Sequence, residues 1–305
     1  MLHRTPVLQS IPIGARYMVL SALSFSGMTV CVKLAGQRLP TSELVTARAL
    51  VTFVASLAVL RYQGRSPWGT RPGLLAVRGL FGFGALCCVY TAIQRLPIAE
   101  ATVLQFLHPV FTAVLAALLI REPLASRLLL SVAVCLCGTL LVARPAVLFG
   151  GNTPALDPIG VAAGVSGAVL SALAYVTVRK LSETEHPDVI VFYFPLIALP
   201  MSLPALATEV VMPVGTEWLL LLLLGLLTQA GQLALTHGIR AETAGRAASF
   251  SHIQIVFATL WGVLVFDEQP HALTVLGSLL IVGGALLNLQ PDRPPQPAPR
   301  PQPDR

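Results

Sequence analysis

Charge is scarce in this chain: only 11% of its 305 residues are Asp, Glu, Lys or Arg. Soluble proteins carry about a quarter, and a chain of this length could not cover a water-facing surface with so few. The spacings of several chemistries are also missing. No GxSxG, DDxxD, HExxH or Walker A sequence occurs, and Asp157, Asp188, Asp267 and Asp292 all fall at the ends of apolar runs or in loops. Those absences speak against an enzyme, an intramembrane aspartyl protease included, and against nucleotide-driven work. The five cysteines, Cys31, Cys87, Cys88, Cys135 and Cys137, show no CxxC spacing and all lie in apolar runs. They read as small helix-packing residues rather than a disulfide framework or a zinc site, so no metal or cofactor is expected. Clustered basic residues are lacking too. The net charge of +6 is spread over Lys and Arg that stand singly, so no nucleic-acid partner is expected.

What is present is apolar: 55% of the residues are hydrophobic. Continuous apolar runs favour helices over the alternating strands of a barrel, since each helix satisfies its own backbone hydrogen bonds in lipid. Ten spans are predicted, at 14–36, 43–62, 74–94, 98–120, 124–143, 158–178, 189–207, 217–238, 244–266 and 271–289. Proline and glycine punctuate the joints, as at Leu96-Pro97, Glu122-Pro123 and Gln269-Pro270. Arg4 and Arg16 precede the first run as in a signal peptide, but no convincing cleavage site follows, so it is taken as an uncleaved span. With both ends in the cytoplasm, fifteen Lys and Arg face inward and four outward, namely Lys33, Arg38, Arg95 and Arg144. That asymmetry is the positive-inside rule, and it places a multi-pass protein in the cytoplasmic (inner) membrane with an even number of spans. Arg78 is counted here with the cytoplasmic set, which leaves Arg48 as the one cation within a span.

A shift of 146 residues aligns the chain with itself. Gly79 falls on Gly225, Val110 on Val256, Phe111 on Phe257, Glu122 on Glu268 and Gly138 on Gly284. The expected organisation is a cytoplasmic N-terminus (1–13), a first five-helix repeat (14–145), an extracytoplasmic linker (146–157), a second repeat (158–289) and a Pro-rich cytoplasmic tail (290–305). Because five is odd, the second repeat crosses the bilayer in the opposite sense to the first. The fold class is therefore an all-α membrane protein of two inverted five-helix repeats, the architecture of secondary transporters with a midplane site.

Polar residues inside spans are the candidates for that site, since each must find a partner or face a cavity. Gln105 and His108 share a face of the fourth span with Thr102 and Thr112, and the repeat sets Ser251 and Gln254 of the ninth span opposite them. Tyr90, Gln229, Gln232 and Tyr175 join them as substrate-binding candidates. Pro109 has no N–H, so the carbonyl of Gln105 is released either to a ligand ammonium or to a kink holding a water. Ile255 stands where the second half would need a proline, which predicts asymmetry between the halves. Arg48 is assigned to an outer gate or to an ion pair with Glu43 or Glu100. Glu122 and Glu268, before helix junctions, are read as structural caps, and His252 as a packing residue. His108 is the one midplane group expected to titrate near neutrality, and so the candidate for proton coupling.

The stretch "RLPIAEATVLQFLHPVFTAVLAALLIREP", with its counterpart "AETAGRAASFSHIQIVFATLWGVLVFDEQP", resembles the EamA domain of the drug/metabolite transporter superfamily. Arg48, Pro109, Glu122 and Pro123 match that pattern. The resemblance implies a central cavity lined by the first, third, fourth, sixth, eighth and ninth spans and alternating access, often for export. The chain as a whole is also similar to the EamA branch that exports opine-type metallophores. Amides, hydroxyls, tyrosines and one imidazole suit a small zwitterionic, amino-acid-derived substrate in the bilayer; other small metabolites, and a non-transporting structural or signalling role, are the alternatives. With Arg48 as the single deep cation, a multiply charged anion is disfavoured.

Overall fold

The computed structural model describes residues 12–96, 98–145, 148, 150, 156–206, 210–267 and 269–287, without the side chains of 98–100 and 205. The first repeat comprises α1 (Ile13–Ala35), α2 (Thr41–Tyr62), α3 (Pro72–Arg95), α4 (Ile98–Gln105), α5 (His108–Ile120) and α6 (Ser126–Ala143). The second comprises α7 (Pro158–Leu181), α8 (Pro187–Leu206), α9 (Glu217–Ala241), α10 (Ala244–Ser249), a 3-10 turn (Phe250–His252), α11 (Ile253–Phe266) and α12 (Ala272–Leu287). All described elements are helical, and α4 with α5, like α10 with α11, makes one span in two pieces. The tails, Glu268 and most of the 146–157 linker lie outside the described residues.

The repeats interlock rather than sit side by side. α1 packs along α9 and α3 along α7, which are equivalent contacts once the halves are exchanged; α2 meets α8, and α6 meets α12. Lipid offers apolar side chains no reason to prefer each other, so close approach rests on small residues. At the α6–α12 crossing, a Cβ on Gly138 would meet the carbonyl oxygen of Gly277 at 2.6 Å, and the reverse holds equally. There the Ser131 hydroxyl donates to the Gly284 carbonyl at 2.7 Å. Gly79 and Gly225, matched by the repeat, serve equivalent crossings: a Cβ on Gly79 would meet the Tyr193 carbonyl of α8 at 2.8 Å, and one on Gly225 would meet Val51 of α2 at 2.3 Å.

The fourth and ninth spans are not the continuous helices that their hydropathy predicts. The fourth breaks at Phe106–Leu107 and restarts at His108, with Pro109 in the new first turn. Pro109 has neither the N–H nor the room to continue the ladder. The predicted asymmetry is overturned, because the ninth span breaks at the matching level with no proline. Its serines do the work. Ser249 donates to the Arg246 carbonyl at 2.8 Å and Ser251 to the Ala248 carbonyl at 2.7 Å, while His252 Nδ1 lies 3.1 Å from the Ser249 carbonyl. Side chains that compete for helix carbonyls tighten the turn into 3-10 geometry.

Polar groups tie the halves together at both ends. At one end Glu122 accepts from Arg179 Nε and from the backbone N–H of Ala244, each at 2.8 Å. It thus caps a helix of the other repeat, in line with its structural reading. At the opposite end Arg38 pairs with Glu217 and donates to the Met212 carbonyl at 2.7 Å, and Arg95 reaches Asp157 at 3.0 Å. Glu43 accepts from the Val211 N–H at 3.2 Å.

Candidate functional site

Between the halves lies a chamber of about 220 Å³. Its wall takes residues from the six spans that the resemblance implies, and adds Arg48 from α2 and Phe194 from α8. The 146-residue shift pairs Arg48 with Phe194, Leu86 with Gln232, Val89 with Leu235, Gln105 with Ser251, and His108 with Gln254, and all ten line the chamber. The frame is two-fold; the chemistry on it is not.

Six of the eight substrate-binding candidates come together here: Gln105, His108, Tyr175, Gln232, Ser251 and Gln254. The two broken spans bring the centre together, since His108 starts α5 and Ser251 sits in the 3-10 turn. His108 Nε2 lies 3.1 Å from the Ser251 hydroxyl, and its ring stands 5.1 Å from that of Tyr175. With the Ser251 hydroxyl donating to the Ala248 carbonyl at 2.7 Å, a ring protonated at Nε2 completes the pair. Nδ1 is then an acceptor, buried and without a partner among the described residues. Thr112 and Thr236 return their hydroxyls to carbonyls of their own helices, at 2.7 and 2.8 Å, and so leave the centre to the longer side chains.

Tyr90 and Gln229 are not in the lining, which corrects their assignment. Gln229 faces α2 instead, where its Oε1 accepts from Ser56 at 3.1 Å, an ordinary interhelical bond. His252 packs beside Phe106, with rings 5.4 Å apart, as its packing assignment expects. The expected Arg48–Glu43 pair is not formed, because Glu43 is taken by the Val211 backbone. Arg48 instead contacts Met28 Sδ at 3.8 Å, with its Cζ 5.5 Å from the centre of the Phe194 ring. The Glu100 side chain, its other proposed partner, lies outside the described residues.

The residue that sequence reasoning missed is Arg78. Counted as an interfacial charge, it is 3% exposed and lines the chamber. It donates from Nη2 to Gln232 Oε1 at 2.9 Å and holds its Cζ 5.6 Å from the Phe194 ring centre. Its position six residues inside α3 carried the signal. About 9 Å of helix separates it from the end of the span, more than a side chain turned inward can return to water. Arg48 is therefore not the single deep cation. Among the described residues no three His, Cys, Asp or Glu side chains gather as a metal site would require.

Two interlocked five-helix repeats around a chamber with polar groups on its wall make this a multi-pass membrane transporter that handles a small molecule within the bilayer. The EamA-like transporter family matches residues 12–144 and again 158–290, and the chain belongs to that family. It is 32% identical over 277 residues to the pseudopaline exporter CntI of Pseudomonas aeruginosa, covering 90% of this chain and 95% of that one. It is 31% identical to solute carrier family 35 member G1 of Mus musculus, covering 88% of this chain and 76% of the relative. A protein crystal structure superposes with a TM-score of 0.78 at 22% identity, over 90% of this chain and 95% of the other, a likeness of fold.

Proposed function

We propose that the protein exports a small amino-acid-derived metabolite across the cytoplasmic membrane by alternating access, with an opine-type metallophore as the candidate substrate. The chamber carries the reading. Both halves contribute hydrogen-bonding groups to it at the level where both broken spans bend, so rocking one half against the other would turn the same groups toward either face. The cross-half contacts at the two ends, Glu122 with Arg179 and Arg38 with Glu217, are the bonds that such rocking would break in turn. Similarity to a named pseudopaline exporter over nearly the whole chain supports both the direction and the substrate class. The positive-inside count supports an orientation with both termini in the cytoplasm. At about 220 Å³ the chamber is smaller than the roughly 300–1,000 Å³ of drug-sized sites, so a ligand longer than an amino acid would have to widen it.

Metabolite profiling of cells that lack the protein tests this directly. Loss of one amino-acid-derived compound from the medium, with build-up of the same compound inside, is the expected result. Loss of a plain amino acid would move the substrate to the alternative class, and unchanged profiles inside and out would remove the export reading.

A further inference from the structure

The chamber holds an electrostatic imbalance that the export reading leaves unused. Arg48 and Arg78 both line it, and no Asp or Glu does among the described residues. The polar contacts of the two guanidiniums are a thioether and an amide, Met28 and Gln232. Two nitrogens of Arg78, Nε and Nη1, are buried with no partner among the described residues. Guanidiniums kept this deep in an apolar bundle are costly unless something supplies opposite charge.

Their placement narrows what that something is. Successive spans run antiparallel, so Arg48, seven residues from the Thr41 start of α2, and Arg78, six from the Pro72 start of α3, approach from opposite ends of the bundle. They converge on one ring, with Cζ atoms 5.5 and 5.6 Å from the centre of Phe194. Each guanidinium is a planar fork whose natural partner is a carboxylate held by two parallel hydrogen bonds. Two forks reaching one chamber from opposite ends match two carboxylates on one ligand. A zwitterion with a single carboxylate would leave one fork uncompensated. We propose that the chamber binds a net-anionic amino-polycarboxylate, with one carboxylate on Arg48 and another on Arg78. This rests on the chamber being the substrate site, and it replaces the zwitterion by an anion within the same class.

The test is calorimetric titration of the purified full-length protein with iminodiacetate and its longer homologue iminodipropionate, against glycine and inorganic phosphate. At least one of the two dicarboxylates should bind ten-fold or more tightly than either control. Arg48→Gln and Arg78→Gln should each weaken that binding ten-fold or more while the affinity for glycine changes less. Should Arg78→Gln fail to give a monodisperse protein, Arg78→Lys, which keeps the charge but loses the fork, should still weaken binding several-fold. Three outcomes overturn the proposal: neither dicarboxylate binds the folded wild-type protein, the arginine variants bind as the wild type does, or phosphate binds as tightly as the better dicarboxylate. Failure here is separable from failure of export. Arginine-dependent dicarboxylate binding with unchanged culture profiles would sink only the export reading, and a changed profile with arginine-independent binding would sink only the clamp.

Discussion

Only one of the three guanidinium nitrogens of Arg78 has a protein partner, and His108 likewise leaves one of its two ring nitrogens unmatched. In a packed interior such groups are usually paired; these two line the chamber, whereas His252 Nε2 and Ser278 Oγ are buried and unpartnered outside it. The His108–Ser251 bond holds the two broken spans in register, and its worth is measurable. A double-mutant cycle with His108→Leu and Ser251→Ala, read by unfolding in detergent, should give a coupling of about 1 kcal/mol. Additive single-mutant costs would show that the two side chains are merely neighbours. Outside the bilayer, Asp157 is held below the ordinary carboxylate range, chiefly by its hydrogen bond from Arg95 and then by the Ile159 N–H. A lowered folded-state value means that its stabilising effect is present above about pH 4, and is lost as pH falls through that lowered value. Asp157→Asn keeps the helix cap and deletes the charge. Its melting temperature should fall below wild type at pH 7, with the gap closing toward pH 3. At this scale the sequence was readable for Gln105, Gln232, Gln254, His108 and Arg48, whose charge or polarity sits plainly in mid-span, but not for Gln229, which sits just as deep yet turns toward α2. It was not readable for Arg78, because loop counting credits a basic residue to the nearer end of its span and cannot see which face of α3 turns inward.

Helices were legible as elements because each span is a long apolar run bounded by turn residues, and nine of the spans meet the length and hydropathy of a membrane crossing, with Ala272–Leu287 a shorter tenth among the described residues. Their interruptions were half legible. Pro109 announces the break in the fourth span, whereas the ninth breaks through serine-to-carbonyl bonds that no breaker residue marks. The matched glycines were a sounder guide. Gly79 and Gly225 stood out as costly identities in the repeat, and the structure gives each a neighbouring helix with no space for a Cβ. Gly225→Ala would set its methyl 2.3 Å from Val51 Cβ. That overpacking should cost about 1–3 kcal/mol and lower the melting temperature in detergent. Val51→Ala in the same chain should restore a large part of the loss. No recovery would mean that another contact at this crossing dominates.

Taken whole, the molecule was most legible where its parts repeat. An odd number of spans per copy forces opposite orientations, and the exchangeable contacts of α1 with α9 and α3 with α7 are the physical form of that rule. Its ends make the orientation testable. In a background freed of native cysteines, Gln63→Cys lies in the loop between α2 and α3 and Val214→Cys in the one between α8 and α9, both exposed. With cytoplasmic termini, a membrane-impermeant maleimide should label Val214→Cys on intact spheroplasts and reach Gln63→Cys only after lysis; the reverse pattern would invert the topology. What repetition could not convey is how far the copies have diverged at their shared positions, where one carries Arg48 and the other Phe194.

That divergence, with Arg78 beside it, bears on what energises a transport cycle. On the proposed clamp, two carboxylates seated on two guanidiniums leave only the ligand ammonium uncompensated, so the loaded carrier is less positive than the empty one. An inside-negative voltage therefore opposes the loaded outward step less than it favours the inward return of the emptied carrier, by up to about 2.3 kcal/mol per elementary charge per 100 mV for a charge crossing the whole field. Export of such a cargo could run on membrane potential alone, with no counter-ion to fetch back.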